Sequence, residues 1–252
     1  VPLLHRDAAG VRLTAVGGVV VAQGRSLLES SRTLLLEARA AAGEATGVLR
    51  VIEPIGMPLT LHVQTLMATH GAVPKLRIVV RHVEDPLAHL HEPCELMLHE
   101  GPPPERAAWF SRVILRQPLR VLASPAYLRA RGTPRRTSDL AEHDVLGWKR
   151  PRVPATAWPL LAGGTVEVSP WLVSPDFMLL RTLASHAGGL LLAPHTPFVD
   201  EPWAEPLVPV LDDHVGIEHV FRASTPHLTQ SDSRTRGALE QIHRMLERFP
   251  DA

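Results

Sequence analysis

The sequence predicts an α/β protein of two lobes preceded by one long helix. Three observations predict it. From Val48 onward, short apolar runs of strand type alternate with segments of helical period, the order that builds parallel, doubly wound sheets with right-handed crossovers. The last strand-like run, before a C-terminal amphipathic helix, can return to the first half, so the chain would cross twice between lobes, near 122–124 and 222–226. Ahead of Val48 a helical stripe runs without a strand signal.

The long helix starts at Thr14, whose hydroxyl suits an N-cap. Behind it Val16, Val20, Leu27, Ser31, Leu34, Ala38 and Ala41 fall at helical spacing, and Leu28 and Leu35 widen the stripe. Gly43 and Gly47 are stop signals. A helix over 14–43 would be about 45 Å long. No neighbouring segment is an obvious partner for its apolar stripe, so a second copy of the chain is expected to cover it.

The body follows in order. "VLRVI" (48–52) reads as a buried strand, "GMPLTLHVQTLMATHG" (56–71) as a helix and "KLRIVVR" (75–81) as a strand. "DPLAHLHE" (85–92) reads as a short helix with Pro86 in its first turn. "CELML" (94–98) is a strand, and "SRVILRQPLRVLAS" (111–124) holds one or two more. "SPAYLRARG" (124–132) is a helix opened by Ser and Pro and closed by Gly; "SDLAEH" (138–143) is a helical turn. "VLGW" (145–148) and "TVEVSPWLV" (165–173) are strands, with a Pro- and Arg-rich loop between them. "SPDFMLLRTLASHAGG" (174–189) is a capped helix. "LLLAP" (190–194), "LVPVL" (207–211) and "IEHVFRAS" (217–224) are strands. "LTQSDSRTRGALEQIHRMLERF" (228–249) carries the stripe Leu239, Ile242, Leu246 and Phe249.

Composition narrows the function. Lys plus Arg equals Asp plus Glu, 26 against 26, so no global charge points to nucleic acid or membrane. The single cysteine, Cys94, excludes an internal disulfide and a thiolate metal cage within one chain; a reducing cytoplasm fits. No apolar run is long enough for a membrane span and no secretory leader opens the chain. There is no Gly-x-Ser-x-Gly elbow, Walker sequence or Gly-x-Gly-x-x-Gly, so no enzyme is expected. Among the fourteen histidines, His89, His91, His82 and His99 form the densest group. Residues two apart on a short helix face different ways, and no third ligand stands at known spacing, so no metal site is expected. No cofactor is implied.

Several stretches resemble LysR-type transcriptional regulators. "LLHRDAAGVRLTAVGGVVV" is similar to the family's wing and linker-helix start, with Leu3, Leu4, Arg6, Leu13, Thr14 and Gly17 at the matching positions. "GVLRV" (47–51) resembles the entry to the effector domain. "VLASPAYLRARGTPRRTSDLAEHDVL" (121–146) is the most specific block, and "ASHAGGLLLAPH" (184–195) and "EPLVPVL" (205–211) follow in the family's order. The resemblance implies two Rossmann-like lobes of periplasmic-binding-protein type II architecture behind a linker helix. It divides the chain into a wing remnant (1–13), a linker and dimerisation helix (14–46) and an effector-binding domain (47–252). Lobe I would take 47–122 and 225–252, and lobe II 123–224. In the family a winged helix-turn-helix precedes the linker and reads the major groove; its recognition helix is not in this sequence. Arg6 and Arg12 would touch DNA phosphate, which positions without specifying sequence.

The resemblance also implies a small-molecule effector held between the lobes, in a homodimeric or homotetrameric cytoplasmic regulator. The cleft walls would be Pro54, Ile55, Gly56 and Met57, then His82 and Glu84, then His99 and Glu100, then Asp176 and Phe177. Helix N-termini near Gly56 and Pro175 would favour an anion. Pro54 and Ile55, however, offer no hydroxyl, and Glu84, Glu100 and Asp176 add negative charge, so a neutral, apolar or cationic effector is at least as well suited. Trp148 is expected to plug lobe II rather than stack on a ligand. The alternative reading is a stand-alone solute-binding protein on the same fold.

Overall fold

The computed structural model describes residues 1–7, 10–24, 27, 47–72, 74–105, 108–195, 206–227 and 233–246. A hairpin comes first: β1 (Leu4–Asp7) and β2 (Gly10–Leu13) pair antiparallel, with Leu4 opposite Leu13. Thr14 then caps a helix, α1, which is described over residues 15–24. The Thr14 hydroxyl accepts from the Gly17 N–H at 2.8 Å and donates to the Pro2 carbonyl at 2.9 Å, the capping role its position predicts. Its backbone N–H donates to the Leu3 carbonyl at 3.0 Å. A Cβ on Gly17 would lie 1.9 Å from that same carbonyl oxygen, so only glycine lets the first turn of α1 rest on the hairpin. Val16, Val19 and Val20 are exposed, so the described part of the apolar stripe is uncovered within one chain. The rest of the expected linker helix lies outside the described residues.

The body is built from β3 (Gly47–Pro54), α2 (Leu59–Ala72), β4 (Leu76–Val83), β5 (Leu96–Glu100) and the long β6 (Trp109–Ala123). There follow α3 (Pro125–Arg131), β7 (Val145–Trp148), β8 (Ala157–Pro159), β9 (Thr165–Glu167) and β10 (Pro170–Ser174). The chain continues through α4 (Phe177–Ser185), β11 (Leu190–Pro194), β12 (Val208–Val210), β13 (Ile217–Pro226) and α5 (Ser233–Leu246). Short 3₁₀ turns at Pro86–His89 and Thr137–Glu142 replace two of the expected helical segments. The stretch expected as one strand over 165–173 splits into β9 and β10. β8 arises within the loop read as irregular and pairs with β9 in a small separate hairpin.

Nine strands form one curled sheet in the order β10-β7-β11-β6-β13-β5-β3-β4, with β12 on β6. β3 pairs in parallel with β4 and β5, and β7 with β10 and β11, whereas every pair made by β6 or β13 is antiparallel. The sequence suggests a wholly parallel arrangement, but the connecting pair β6–β13 is antiparallel and joins the lobes into one sheet. The reason is topological: a chain that crosses out and back runs in opposite directions, and crossing strands this long pair with each other. β13 meets β5 of lobe I over Phe221–Ser224, while β6 meets β11 of lobe II over Leu119–Leu122. Both crossing strands thus pair with both lobes, and the expected crossings near 122–124 and 222–226 fall at their C-terminal ends.

Lobe I packs Leu49, Val51, Leu96 and Leu98 under α2 and α5, with Ala238 and Ile242 from α5 completing that layer; Ile52, Val83, Cys94 and Met97 form the opposite one. Lobe II buries both faces of its strands. Leu190 and Leu192 face the Tyr127 side, while Leu191 and Ala193 face α4, so "LLLAP" reads as an unbroken apolar run.

The most specific sequence block, 121–146, is a piece of local carpentry. The buried Ser124 hydroxyl caps α3, accepting from the Tyr127 N–H at 3.2 Å. The Tyr127 hydroxyl in turn accepts from the Asp144 N–H at 2.8 Å and meets His143 Nδ1 at 3.1 Å. This ties the end of the block to its start and sets the entry of β7. Tyr127→Phe keeps the ring and removes the tie; the expected loss is about 1–2 kcal/mol of stability, read as a lower urea midpoint.

Candidate functional site

The crossing strands floor a cleft between the lobes. In the β6–β13 ladder Gln117 stands opposite His219, and Leu115 opposite Phe221, so alternate residues of both strands face the same space. Pro54, Ile55, Gly56 and Met57 close it from lobe I, and Trp148, Phe177 and Pro194 from lobe II; Glu100, at the end of β5, stands at one side. The cavity measures about 70 Å³, more than the ~10–15 Å³ that one water needs but under half of the ~150 Å³ that admits benzene in a protein core. The lobes are therefore drawn together.

Of the residues expected to line the cleft, Pro54, Ile55, Gly56, Met57, Glu100 and Phe177 do so. Gly56 has φ +81, and a Cβ there would lie 2.4 Å from the Phe177 backbone N and 2.7 Å from Asp176 Oδ1. The lobe I turn thus sits directly on the first turn of α4. The other four residues are turned elsewhere. Asp176 is spent as the cap of α4, accepting from the Leu179 N–H at 3.1 Å. His99 is 1% exposed, with Nε2 at 2.7 Å from the Ser224 hydroxyl and Nδ1 at 3.0 Å from the Glu100 carbonyl. Burial holds its pKa below the ordinary histidine value. Strand alternation explains the split, since Glu100 faces the cleft and its neighbour His99 the other way. Glu84 pairs with Lys149 of lobe II at 2.9 Å, a bridge exposed enough on both sides to stabilise little. His82 places Nε2 at 2.8 Å from Glu53 Oε1, and His62 Nδ1 reaches the same oxygen at 2.9 Å. His89 and His91 stack on one another, and His89 pairs with Glu92, so the sequence-dense histidine group is dispersed. Cys94 is buried, which pushes its thiol up to about 12, with the Glu95 charge adding to the effect; it is not a reactive thiolate.

Several cleft residues were not foreseen. Trp148 packs on both apolar layers of lobe II, as a plug would, yet it also forms a cleft wall. Its ring lies 5.1 Å from Phe177 and 5.9 Å from His219, with the Arg150 guanidinium 5.3 Å over it. Arg150 is buried, which pulls its pKa down, while Glu100 with an oxygen at 4.0 Å opposes that shift. Glu100 Oε2 also lies 3.3 Å from His219 Nε2. Whether Nδ1 donates or accepts follows from the tautomer. His219 Nδ1 and Gln117 Oε1 are both buried without a hydrogen-bond partner among the described residues. An orphaned pair in an apolar cleft calls for a polar ligand or water, one that donates to Gln117 Oε1 and pairs with His219 Nδ1 as its tautomer requires. No hydroxyl or thiol stands among the described lining residues.

Comparison with known proteins gives one family. The family model for the LysR substrate binding domain matches residues 42–247. The HTH-type transcriptional regulator CrgA of Neisseria meningitidis serogroup C (strain 8013) is 28% identical over 229 residues, 88% of this chain and 75% of that protein. The solved structure of CrgA, a LysR-type transcriptional regulator from Neisseria meningitidis, is similar with a TM-score of 0.67 at 24% identity, over 99% of this chain and 84% of that one. The full-length Vibrio cholerae virulence activator AphB is similar with a TM-score of 0.62 at 20% identity, over 96% and 83% of the two chains. At these identities the two structures speak for the fold.

Two outcomes follow from the geometry. Gly56→Ala forces the lobe I turn off α4, so X-ray scattering should show a larger radius of gyration and melting a lower midpoint. The contact with Glu53 raises the His62 pKa against the lowering effect of burial. A raised folded value means that the contribution is full below the unfolded pKa of about 6.5 and is lost as pH rises through the folded value. Urea titrations from about pH 5 to about pH 9 should show that decline in the native chain and not in His62→Ala.

Proposed function

Because the chain belongs to the LysR substrate-binding domain family, we propose that its cleft takes up a small aromatic or apolar molecule, neutral or cationic, that bears hydrogen-bond donors. The chain is the effector-sensing and oligomerising portion of a LysR-type transcriptional regulator, a family whose members bind small effectors, contact DNA through an N-terminal domain and form oligomers. One observation carries the ligand reading: the acceptor Gln117 Oε1 and the ring nitrogen His219 Nδ1, both on cleft-lining residues, are buried with no hydrogen-bond partner among the described residues. Leaving such atoms unsatisfied costs about 1–3 kcal/mol each, which a polar ligand would recover. Trp148, Phe177 and Met57 supply the apolar grip, and Glu100 favours a cation over an acid. The end of α4, the natural anion seat, is already occupied by its own Asp176 cap and covered by Gly56.

Binding without turnover fits a family of regulators. No described helix is long and apolar enough to cross a membrane; we place the protein in the cytoplasm, where a DNA-binding regulator acts. In a full-length protein, Arg12 on the exposed hairpin would rest near phosphate together with Arg6, whose side chain lies outside the described residues. A ligand shifts the lobes only in so far as it prefers one arrangement, and its coupling to DNA affinity would be about 1–3 kcal/mol.

A thermal-shift screen of aromatic amines, phenols and amides against the matching carboxylates tests this. A donor-bearing ligand at about a hundred times its dissociation constant should stabilise the chain by about 2.7 kcal/mol, quench tryptophan emission and lose most of its effect in Gln117→Leu. Shifts by the carboxylates alone would overturn the ligand class.

A further inference from the structure

We propose that Glu53, His62 and His82 form a binding site for a late first-row divalent cation of the Zn²⁺ type, at the lobe I edge of the cleft. The three residues come from three elements. Glu53 ends β3 and His82 stands opposite it in the parallel ladder with β4, so their side chains share a face. His62 reaches down from the first turn of α2, which covers that face. The three ligand atoms, Glu53 Oε1, His62 Nδ1 and His82 Nε2, all lie within 4.8 Å of one another. Two imidazoles and one carboxylate are a donor set that suits zinc, nickel, cobalt or copper and not magnesium or calcium, which prefer oxygen.

Packing distinguishes this cluster from ordinary surface polarity. The Glu53 side chain is only 4% exposed at the end of an apolar layer formed by Leu49, Val51, Ile78 and Val80. A carboxylate in such a place needs strong compensation. Both imidazole nitrogens approach the same oxygen, at 2.9 and 2.8 Å, yet Oε1 makes no hydrogen bond of acceptable geometry. The nitrogens crowd the oxygen without aiming an N–H at it. Ligands of a common metal stand in that relation, because each lone pair points at the ion and not at the neighbouring ligand. Bonds of about 2.0–2.2 Å in a tetrahedral site put ligand atoms roughly 3.4 Å apart, so the two nitrogen–oxygen separations need to open by only about half an ångström, and the two nitrogens already lie within 4.8 Å of each other. The rings, with centroids 5.7 Å apart and planes at 31°, leave room for that spread. His82 is half exposed, which supplies an entry path and leaves a coordination position for water or an outside ligand.

The site borders the cleft without belonging to it. Pro54, the first residue of the cleft turn, follows Glu53 directly, and Glu84, which pairs with Lys149 across the mouth, lies two residues beyond His82. A bound cation would pin the ends of β3 and β4 and the start of α2 together.

Zinc and nickel chlorides titrated into the untagged chain, by calorimetry against a competing chelator, test the proposal. The expected result is one saturable equivalent per chain. Affinity should fall at least about tenfold in His82→Ala, by analogy with the 10–100-fold cost of losing even an outer partner. The same loss is expected in Glu53→Gln, and none in the double variant His89→Ala/His91→Ala. His82 is half exposed, so its variant should still melt cooperatively above the assay temperature, though at a lower midpoint because Glu53 loses one of two partners, and the loss of affinity then belongs to the missing ligand. Cobalt should give visible absorption bands that disappear in His82→Ala. Absence of saturable binding, or an affinity unchanged in His82→Ala, overturns the site.

Discussion

Two strands that each belong to two lobes hold this molecule together. The β6–β13 ladder runs from Ile217 opposite Leu119 to Pro226 opposite Trp109, and every other element is placed by reference to it. β5 joins lobe I to one end of the ladder, and β11 and β12 join lobe II to the other. Ladder hydrogen bonds do not stretch, so the lobes cannot simply move apart. They can bend where the ladder is irregular, at the register shift between Phe221 and Arg222. That irregularity lies beside Leu115 and Phe221, on the floor of the cleft. The place where the sheet yields is therefore the place where a ligand would sit.

The cleft has a chemical character that follows from the same construction. Its floor comes from strands, which offer side chains of one face only; its walls come from a turn and from the starts and ends of other elements. Apolar surface dominates, and the polar atoms are few and concentrated at Glu100, Gln117, His219 and Arg150. Glu100 meets the Arg150 guanidinium only at 4.0 Å, the outer limit of an ion pair, so it keeps negative character. What is left over is acceptor capacity. The closure of Gly56 on α4 keeps that capacity away from bulk water, which raises the penalty for leaving it unused.

Much of the fold was legible in the sequence because its strands are buried on both faces and its helices carry caps. "VLGW" and "LLLAP" have the bounds their apolar runs suggest, and Thr14 and Ser124 cap the helices that follow them. The long β6 was harder: Arg112, Arg116 and Arg120 break its apolar run, and the end at which it changes lobe leaves no mark in composition. Gln117 and His219 face each other only through the β6–β13 register, which their places along the chain do not reveal. Asp176 and His99 were placed in the cleft because chain neighbours of true lining residues look equivalent until strand alternation and cap geometry are fixed. The Glu53, His62 and His82 cluster escaped notice for a different reason. Its members lie on separate elements, and spacing along the chain does not reveal a pairing made across a parallel ladder and an overlying helix.

The seat of Gly17 on the Leu3 carbonyl has a mechanical consequence. With Thr14 bonded to both Pro2 and Leu3, and no side chain to prise the first turn away, the hairpin and the root of α1 behave as one lever with no swivel between them. Torque applied to that rod is not dissipated at the joint. A rotation of α1 over residues 15–24 therefore turns β2, and Arg12 on it, through the same angle.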